Sequence, residues 1–203
     1  MLESSLVKSE RRQKPKPFPR FRPPALFEEG TVRKMWRLAG KGFESRFKRE
    51  TYGFLFGTVA RGRRLILRRA CYYRGGLKTR TGVVFRDWPT IMRVAHRRQK
   101  LAREMMLRFA GAFHSHVEIA GEVFRGLSDE DRESFRFDPM SLLEVVVSVW
   151  VGTNHYPERS SRTIACFDPK SGYHYRIKVY AKLKNGIRQV SAKVMSSHIV
   201  VVF

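Results

Sequence analysis

Cysteine is scarce in this sequence. The 203 residues include only two, Cys71 and Cys166, and neither belongs to a C-x-x-C pair. Two cysteines cannot build the disulfide framework that small secreted domains use in place of a large core. The sequence therefore excludes a disulfide-stabilised scaffold, and it favours two ordinary buried thiols over a single bridge.

Long hydrophobic runs are also missing. The longest apolar stretch, Leu142–Val151, contains Glu144 and has about half of the residues that a membrane-spanning helix needs. The residues after Met1 are charged and rich in proline, so they do not resemble the apolar core of a secretory signal. We therefore expect a soluble cytoplasmic protein that does not act at a membrane.

Acidic side chains are few: 18 Asp and Glu stand against 41 Lys and Arg, a formal net charge of +23. Such an excess makes nucleic acid a candidate partner, because basic side chains release the counterions of polyphosphate. The charge is unevenly distributed. Residues 51–110 carry 15 basic and 2 acidic side chains, a net +13, whereas residues 111–150 carry 3 and 8, a net −5. That acidic segment contains His114 and His116, which indicates a cation site within a basic chain.

Proline and basic residues dominate the beginning of the chain. Closely spaced prolines that alternate with like charges favour extended, poorly ordered chain, so we predict a basic, Pro-rich tail over residues 1–28. The remaining residues, 29–203, are predicted to form a single domain. A hydrophobic fraction of 42% is sufficient for that domain to have a core.

Apolar periodicity predicts helices mixed with strands. Helices are expected over residues 31–48 and after Asp87, which can act as an N-cap with Pro89 in the first turn. Short apolar runs predict strands over residues 52–59, 64–73, 109–116, 142–150, 163–167, 173–183 and 189–195. This mixture is typical of an α/β or α+β layered domain.

Three short motifs carry side chains that can bind a metal or transfer a proton. His114-Ser-His116 ends a predicted strand, and residues i and i+2 of a strand share a face, so both imidazoles can meet one ion. Ser128-Asp-Glu-Asp131 supplies a carboxylate downstream, and Glu50 immediately precedes the first long core strand. Two imidazole nitrogens and one carboxylate oxygen are a common ligand set for catalytic Zn²⁺. A further carboxylate beside the ion can act as general base and then as general acid.

Each motif taken alone also has a structural interpretation. An H-x-H pair on a strand is more often structural than a metal site, and Ser128 and Asp131 have the spacing of a helix capping box. Glu50 follows Lys48 and Arg49, so it would also fit the exposed end of a helix. The combination of the three motifs in this order is what favours a metal centre.

This combination resembles the JAMM (MPN+) zinc metalloproteases. The stretches Glu50-Thr-Tyr-Gly-Phe-Leu-Phe-Gly57, Gly111-Ala-Phe-His-Ser-His116 and Ser128-Asp-Glu-Asp131 are similar to that family's signature. The signature is a Glu at the start of a strand, an H-x-H with Ser or Thr in the middle, and a later S-x-x-D. The resemblance covers about residues 29–150 and is strongest to archaeal members and to the proteasome-lid deubiquitinase subunit. It implies a curved mixed β-sheet flanked by helices, with a core like that of cytidine deaminases.

The resemblance also implies a role for each matching residue. His114, His116 and Asp131 would ligate Zn²⁺. Glu50 would deprotonate the attacking water and return the proton to the leaving amine, and Ser128 would stabilise the oxyanion. The implied activity is cleavage after the C-terminal Gly-Gly of ubiquitin or a ubiquitin-like modifier. A sulfur-carrier protein with the same tail is an alternative substrate, and a proteasome or another acidic protein is an implied partner.

Two departures from the family pattern lie beside the metal motif. Val117 stands where the family usually has proline, and eleven residues separate His116 from Ser128 where the family has seven. A longer loop costs little entropy. The sequence nevertheless leaves open whether Asp131 or Asp129 supplies the third ligand.

A basic loop follows the second predicted strand, at the position of the family's first insertion, which flanks the substrate tail. Its Gly75, Gly76 and Gly82 would allow an extended peptide to add through backbone hydrogen bonds. An ordinary flexible hairpin would explain these glycines equally well.

A second class of function fits the same sequence. A nucleic-acid-associated or scaffold protein without protease activity would account for the +13 segment and the basic tail. Phe18, Phe21, Tyr72 and Tyr73 alternate with basic residues, as base stacking beside phosphate contacts requires. Steeply salt-dependent binding to RNA or DNA, without bound zinc, would favour this alternative.

Overall fold

The computed structural model describes residues 21–78, 83–84, 87–152 and 162–195. In this part of the chain there are three α-helices: α1 (Glu29–Phe43), α2 (Trp88–Glu104) and α3 (Asp129–Phe137). The same part forms eleven strands: β1 (Ala25–Glu28), β2 (Tyr52–Ala60), β3 (Arg64–Tyr72), β4 (Leu77–Lys78), β5 (Val83–Val84), β6 (Arg108–Val117), β7 (Leu143–Val151), β8 (Thr163–Asp168), β9 (Tyr173–Leu183), β10 (Gly186–Val190) and β11 (Ala192–Met195).

Nine of these strands form one mixed sheet. Its order is β10-β9-β7-β6-β2-β3-β1-β11, with β8 also paired to β9, while β4 and β5 form a separate hairpin. The pairs β6–β7, β1–β3 and β1–β11 are parallel and the others are antiparallel. Because β11 also contacts β8, the sheet nearly closes on itself. This is a mixed α+β fold, and at that level the predicted fold class is confirmed.

The two faces of the sheet carry different helices. One face buries α1 against the largest apolar cluster. The other face carries α2 over Phe54 and Phe56, and α3 over Val146. Successive side chains of a strand point to opposite faces, so β6 directs Phe113 towards α1 and His114 towards the side of α2 and α3. The candidate site therefore lies on the face that two helices share.

Strand β1 lies within the segment that the sequence assigns to the tail. It pairs in parallel with both β3 and β11, and Ala25 and Phe27 are completely buried. The predicted boundary at residue 28 is therefore wrong, since the sheet begins at Ala25. The neighbouring prolines argue against a strand when the sequence alone is considered. The strand has only four residues, its alternate apolar side chains face the core, and its partner strands are distant in the sequence.

Local signals locate the helix ends only in part. Asp87 caps α2 as predicted, because its carboxylate accepts a hydrogen bond of 2.7 Å from the Thr90 N–H. Helix α1, by contrast, ends at Phe43 rather than near residue 48. The chain then folds back so that the Arg49 N–H donates to the Gly42 carbonyl at 3.1 Å. A Cβ at Gly42 would lie 2.5 Å from the Arg49 carbonyl oxygen, so this close return requires glycine.

The C-terminal strands and the cysteines differ slightly from the predictions. The strand predicted over residues 189–195 is two strands, because Val190 is the last residue paired with β9 and Ala192 the first paired with β1. Cys71 and Cys166 are free, as predicted, but both are only partly buried. None of the helices in the described ranges is long and apolar enough to cross a bilayer.

Candidate metal centre

Two histidines of β6 meet on the face shared by α2 and α3. His114 and His116 are both buried, with exposed fractions of 5% and 6%. Their Nε2 atoms lie 3.1 Å apart. Side chains two positions apart on a strand share a face. As the H-x-H spacing predicts, both imidazoles therefore meet at one point.

The other nitrogen of each ring bonds to the protein. The His114 Nδ1 lies 2.9 Å from Glu144 Oε1, and the His116 Nδ1 lies 3.1 Å from the carbonyl oxygen of Phe124. A carbonyl oxygen only accepts hydrogen bonds, so a neutral His116 carries its proton on Nδ1, and an ionised Glu144 favours the same tautomer of His114. Both Nε2 lone pairs then point into the same space. They repel each other unless a proton or a cation lies between them.

Asp131 reaches the histidines from the first turn of α3. Its Oδ2 lies 3.4 Å from the His114 Nε2 and 3.3 Å from the His116 Nε2. The same oxygen accepts a hydrogen bond of 2.9 Å from the Ser128 N–H, while the Ser128 Oγ accepts one of 3.0 Å from the Asp131 N–H. This is the predicted capping box. It holds the carboxylate against the two imidazoles.

The eleven-residue loop after the second histidine does not displace Asp131. The loop turns back through paired backbone hydrogen bonds between Ile119 and Glu122, and it returns to the site at Phe124. Asp129 is exposed and does not belong to the three-residue group that could hold an ion. Of the two aspartates that the sequence leaves open, Asp131 is therefore the one beside the histidines.

Glu50 approaches the same point from the chain that enters β2. It is 3% exposed, and its Oε1 lies 4.0 Å from the His116 Nε2. The neighbouring Thr51 is bound to Ser115, the middle residue of the H-x-H motif. The Thr51 N–H and Oγ1–H donate to the Ser115 Oγ at 2.8 and 3.0 Å, and the Ser115 N–H donates to the Thr51 carbonyl at 2.9 Å. These bonds fix Glu50 relative to the histidines.

The protonation states of these groups depend on one another. Burial raises the pKa of Glu50 to about 8, against the opposite effect of His114. Burial also disfavours a charge on His114, but hydrogen bonds to Asp131 and Glu144 outweigh it and raise its pKa well above the usual value. Although burial favours the protonated form of Asp131, the two histidines hold its pKa well below the ordinary range. The raised pKa values of Glu50 and His114 favour the protonated forms of these two groups in the metal-free cluster.

We expect the free energy of unfolding of the metal-free protein to fall between about pH 5 and pH 8. The pKa of the Glu50 carboxyl rises from its ordinary value of 4.5 to about 8 in the folded chain. Over this range the folded chain therefore holds a proton that the unfolded chain has released. The raised pKa of His114 acts in the same direction. Urea unfolding in the presence of a chelator, at several pH values, measures this slope. Glu50→Gln should flatten it, and an unchanged slope would show that Glu50 is ionised in the folded protein.

The glycines predicted to bind a peptide lie apart from this cluster. Gly75 and Gly76 follow β3 and precede the β4–β5 hairpin, while Gly82 lies outside the described residues. A Cβ at Gly75 would lie 2.6 Å from the ring of Tyr73. Within the described chain no hydrogen bond joins Gly75 or Gly76 to the metal cluster, so their role in substrate binding stays a prediction.

Sequence reasoning does not identify three contributors to the site. Glu144 does carry a signal, since it is the one charged residue in the apolar run of β7, and a buried ionisable group there needs a partner. Ser115 lies inside the H-x-H motif, but its partner Thr51 is 64 residues away. Phe124 acts through its backbone carbonyl, which no side-chain pattern reveals.

We expect Glu144→Gln to weaken zinc binding by about 10- to 100-fold while the fold is retained. Glutamine has nearly the same size, but a neutral amide makes His114 less basic and holds its tautomer less firmly. Glu118→Gln is the matched control, because the Glu118 carboxylate accepts a hydrogen bond from the Val151 N–H instead of a histidine. Competition with a chromophoric chelator measures both affinities. Equal, wild-type affinities would show that His114 needs no carboxylate partner.

Comparison with known proteins supports the fold alone. No protein-family model and no curated protein matches the chain. Among solved structures, the solution structure of protein DSY2949 from Desulfitobacterium hafniense is similar, with a TM-score of 0.55 over 86% of this chain and 94% of that one. The two sequences are 18% identical. The chain therefore shares its mixed α+β architecture with a solved protein, whereas its chemistry has to be inferred from the side chains of the site.

Proposed function

We propose that this protein is a zinc-dependent isopeptidase of the JAMM (MPN+) type, which cleaves after the C-terminal Gly-Gly of ubiquitin or a ubiquitin-like modifier. One observation carries the proposal: the His114 Nε2, the His116 Nε2 and an Asp131 carboxylate oxygen converge within 4.8 Å of one another. A buried fourth group, Glu50, lies beside them.

The donor set fits zinc. Ligand atoms bound tetrahedrally at about 2.0–2.2 Å lie roughly 3.3–3.6 Å from one another, and the three separations here are 3.1, 3.3 and 3.4 Å. Two imidazole nitrogens favour zinc over magnesium or calcium, which prefer oxygen ligands. Each imidazole also has its Nδ1 bonded to an acceptor, the arrangement that orients metal-binding histidines.

The order of the groups along the fold also supports the proposal. Glu50 precedes β2, the two histidines lie on the adjacent β6, and Asp131 lies in the first turn of the next helix. The JAMM resemblance implies this order of elements, together with a curved mixed sheet flanked by helices. The mixed α+β fold supports the proposal at that coarser level.

In this proposal each residue has a distinct chemical task. His114, His116 and Asp131 would hold Zn²⁺, and the ion would supply a Lewis acid that lowers the pKa of water and polarises a carbonyl. Glu50 takes a proton from the attacking water and gives it to the leaving amine. Ser128 keeps its Oγ as an acceptor for the Asp131 N–H, so its hydroxyl proton can be donated to the developing oxyanion.

The substrate assignment rests on the JAMM resemblance, and an exposed aromatic side chain beside the cluster offers a contact for a substrate. The ring of Phe124 is 59% exposed, and its centroid lies 5.5 Å from that of His116. This exposed aromatic side chain therefore lies next to the groups proposed to react, where it can contact a bound substrate. We place the activity in the cytoplasm, on modifier conjugates, with a proteasome or another acidic assembly as partner. A sulfur-carrier protein with a Gly-Gly tail is the alternative substrate.

Metal analysis combined with a cleavage assay tests this function. We expect about one zinc ion per chain and hydrolysis of a modifier joined through Gly-Gly to a lysine side chain. A chelator should abolish the hydrolysis and added zinc should restore it. A sulfur-carrier protein extended beyond its Gly-Gly serves as the second substrate and decides between the two substrate classes. Protein that neither retains zinc nor cleaves either substrate would contradict the proposal.

A further inference from the structure

A basic groove lies between the end of β3 and helix α2. It has a volume of about 440 Å³ and is lined by Tyr72, Tyr73, Arg74, Gly75, Arg93 and Arg97. The groove is separate from the metal cluster but close to it. The Tyr73 N–H donates to the Tyr52 carbonyl at 3.0 Å, and Tyr52 is paired with His114 across β2 and β6. Two backbone pairings, from Tyr73 to Tyr52 and from Tyr52 to His114, therefore separate the groove from the β6 histidines.

The three arginines have little compensation for their charge. Within the described ranges Arg74 and Arg97 form no ion pair. Arg93 pairs with Asp87 at 4.0 Å, with both side chains mostly exposed, and donates a hydrogen bond of 2.6 Å to the neutral Thr90 hydroxyl. An exposed pair at that distance contributes little. In the sequence, the stretch between β3 and Asp87 contains further basic residues and no acidic one. Three guanidinium groups around one groove therefore favour an anionic ligand, which they can bind in bidentate fashion.

Aromatic rings lie next to these guanidinium groups. Tyr72 and Tyr73 line the same groove, and Tyr72 is 39% exposed. Two of the four aromatic residues that the sequence suggests for base stacking are thus placed beside the arginines. Of the other two, Phe21 is 9% exposed and packs in the core, so its proposed stacking role is wrong, and Phe18 lies outside the described residues.

We infer that this groove binds a segment of single-stranded nucleic acid, with phosphates on the arginines and a base against the tyrosines. An acidic peptide would also satisfy the guanidinium groups, but its carboxylates offer no planar group to the rings. Proteins that bind single strands combine basic side chains, which contact phosphates, with exposed aromatic rings, on which any base can stack. Single-stranded nucleic acid suits this arrangement, because its unpaired bases can be splayed out and stacked on aromatic side chains. This activity is additional to the proposed isopeptidase and does not depend on it.

Fluorescence anisotropy with a labelled 20-nucleotide oligothymidylate, over a series of salt concentrations, tests the inference. In the triple variant Arg74→Gln/Arg93→Gln/Arg97→Gln, we expect binding to weaken at least about tenfold, and the slope of log K against log salt to fall by about 2, since each single-strand phosphate contact contributes about 0.7. The matched control is Lys170→Gln/Lys184→Gln/Arg188→Gln. These three side chains are exposed, and they lie in β10 and in the turns on either side of β9, which several strands of the sheet separate from β3. The control should bind nearly as the wild type does.

A second pair of variants tests the stacking contact. Tyr72→Ala should weaken binding by about 5- to 100-fold at an unchanged salt slope, whereas Tyr72→Phe, which keeps the ring, should retain the affinity. Tyr72 is more exposed than Tyr73, whose ring packs against the core, so its replacement disturbs the fold least. Equal affinities of the alanine and phenylalanine variants would overturn the stacking contact.

Three results would overturn the inference as a whole. The first is wild-type affinity and salt slope in the groove variant, and the second is an equal loss in both triple variants, which would mean unspecific attraction to a basic surface. The third is displacement of the oligonucleotide by polyglutamate of equal charge at equal concentration, which would assign the groove to acidic proteins. If circular dichroism shows that the triple variant does not fold, Arg97→Gln alone should lower the slope by about 0.7.

Discussion

Glu50→Gln should reduce isopeptide cleavage at least about 100-fold, and to an undetectable level in an ordinary assay, while zinc content and fold are unchanged. Glutamine preserves the size of the side chain, but it cannot take a proton from water or return one to the leaving amine. Glu50 is not among the three groups that converge as ligands, so its replacement should spare the metal. Initial rates at saturating substrate, with elemental analysis of the same sample, measure both effects.

A matched control separates the loss of a particular base from the loss of any carboxylate near the site. Glu122→Gln removes a carboxylate from the exposed loop that follows the histidines, and it should leave the rate unchanged. We therefore expect the Glu50 variant to be inactive but to retain its zinc, and the Glu122 variant to keep its activity. Substantial cleavage by Glu50→Gln would assign the proton transfer to another group.

Asp131→Asn should lose zinc, with an affinity decrease greater than the roughly 10- to 100-fold expected for a residue that acts through a ligand. The amide can still accept the hydrogen bond of the capping box from the Ser128 N–H, so α3 should still form. It carries no negative charge, however, and a neutral amide is a poor ligand for zinc held by two imidazoles. Elemental analysis after dialysis, and the circular dichroism of the variant, distinguish loss of the ion from loss of the helix.

Asp129→Asn provides the control in the same helical turn. Its carboxylate has the same charge and belongs to the same Ser128-Asp-Glu-Asp131 motif, but it is exposed and lies outside the cluster. Zinc should be retained in this variant and lost in Asp131→Asn. The reverse result would show that the longer loop shifts the register of the ligand, the possibility that the sequence leaves open.

The sequence predicts the local features of the site well. The capping box formed by Ser128 and Asp131 and the common face of the two β6 histidines both depend on residues at most three positions apart. Such features are governed by the backbone geometry of a single helical turn or a single strand. The mixed helix and strand pattern follows in the same way from apolar periodicity.

Features that depend on distant residues are not visible in the sequence pattern. Strand β1 lies next to prolines, and the pairing that makes it a strand involves β3 and β11, which lie far away along the chain. The choice of Asp131 over Asp129 depends on how a loop folds, which its length alone does not determine. The Glu144 partner of His114 comes from the neighbouring parallel strand.

The acidic residues illustrate the same difference between what the sequence shows and what only the fold decides. The sequence by itself determines that the chain is strongly basic, that its acidic side chains concentrate around two histidines, and that the types of zinc ligand are present. Only the tertiary structure decides which of these groups meet, and it places three arginines and two tyrosines around one groove. The physical reason is that composition and periodicity act over a few residues, whereas a site is assembled by sheet pairing and helix packing between segments far apart in the chain.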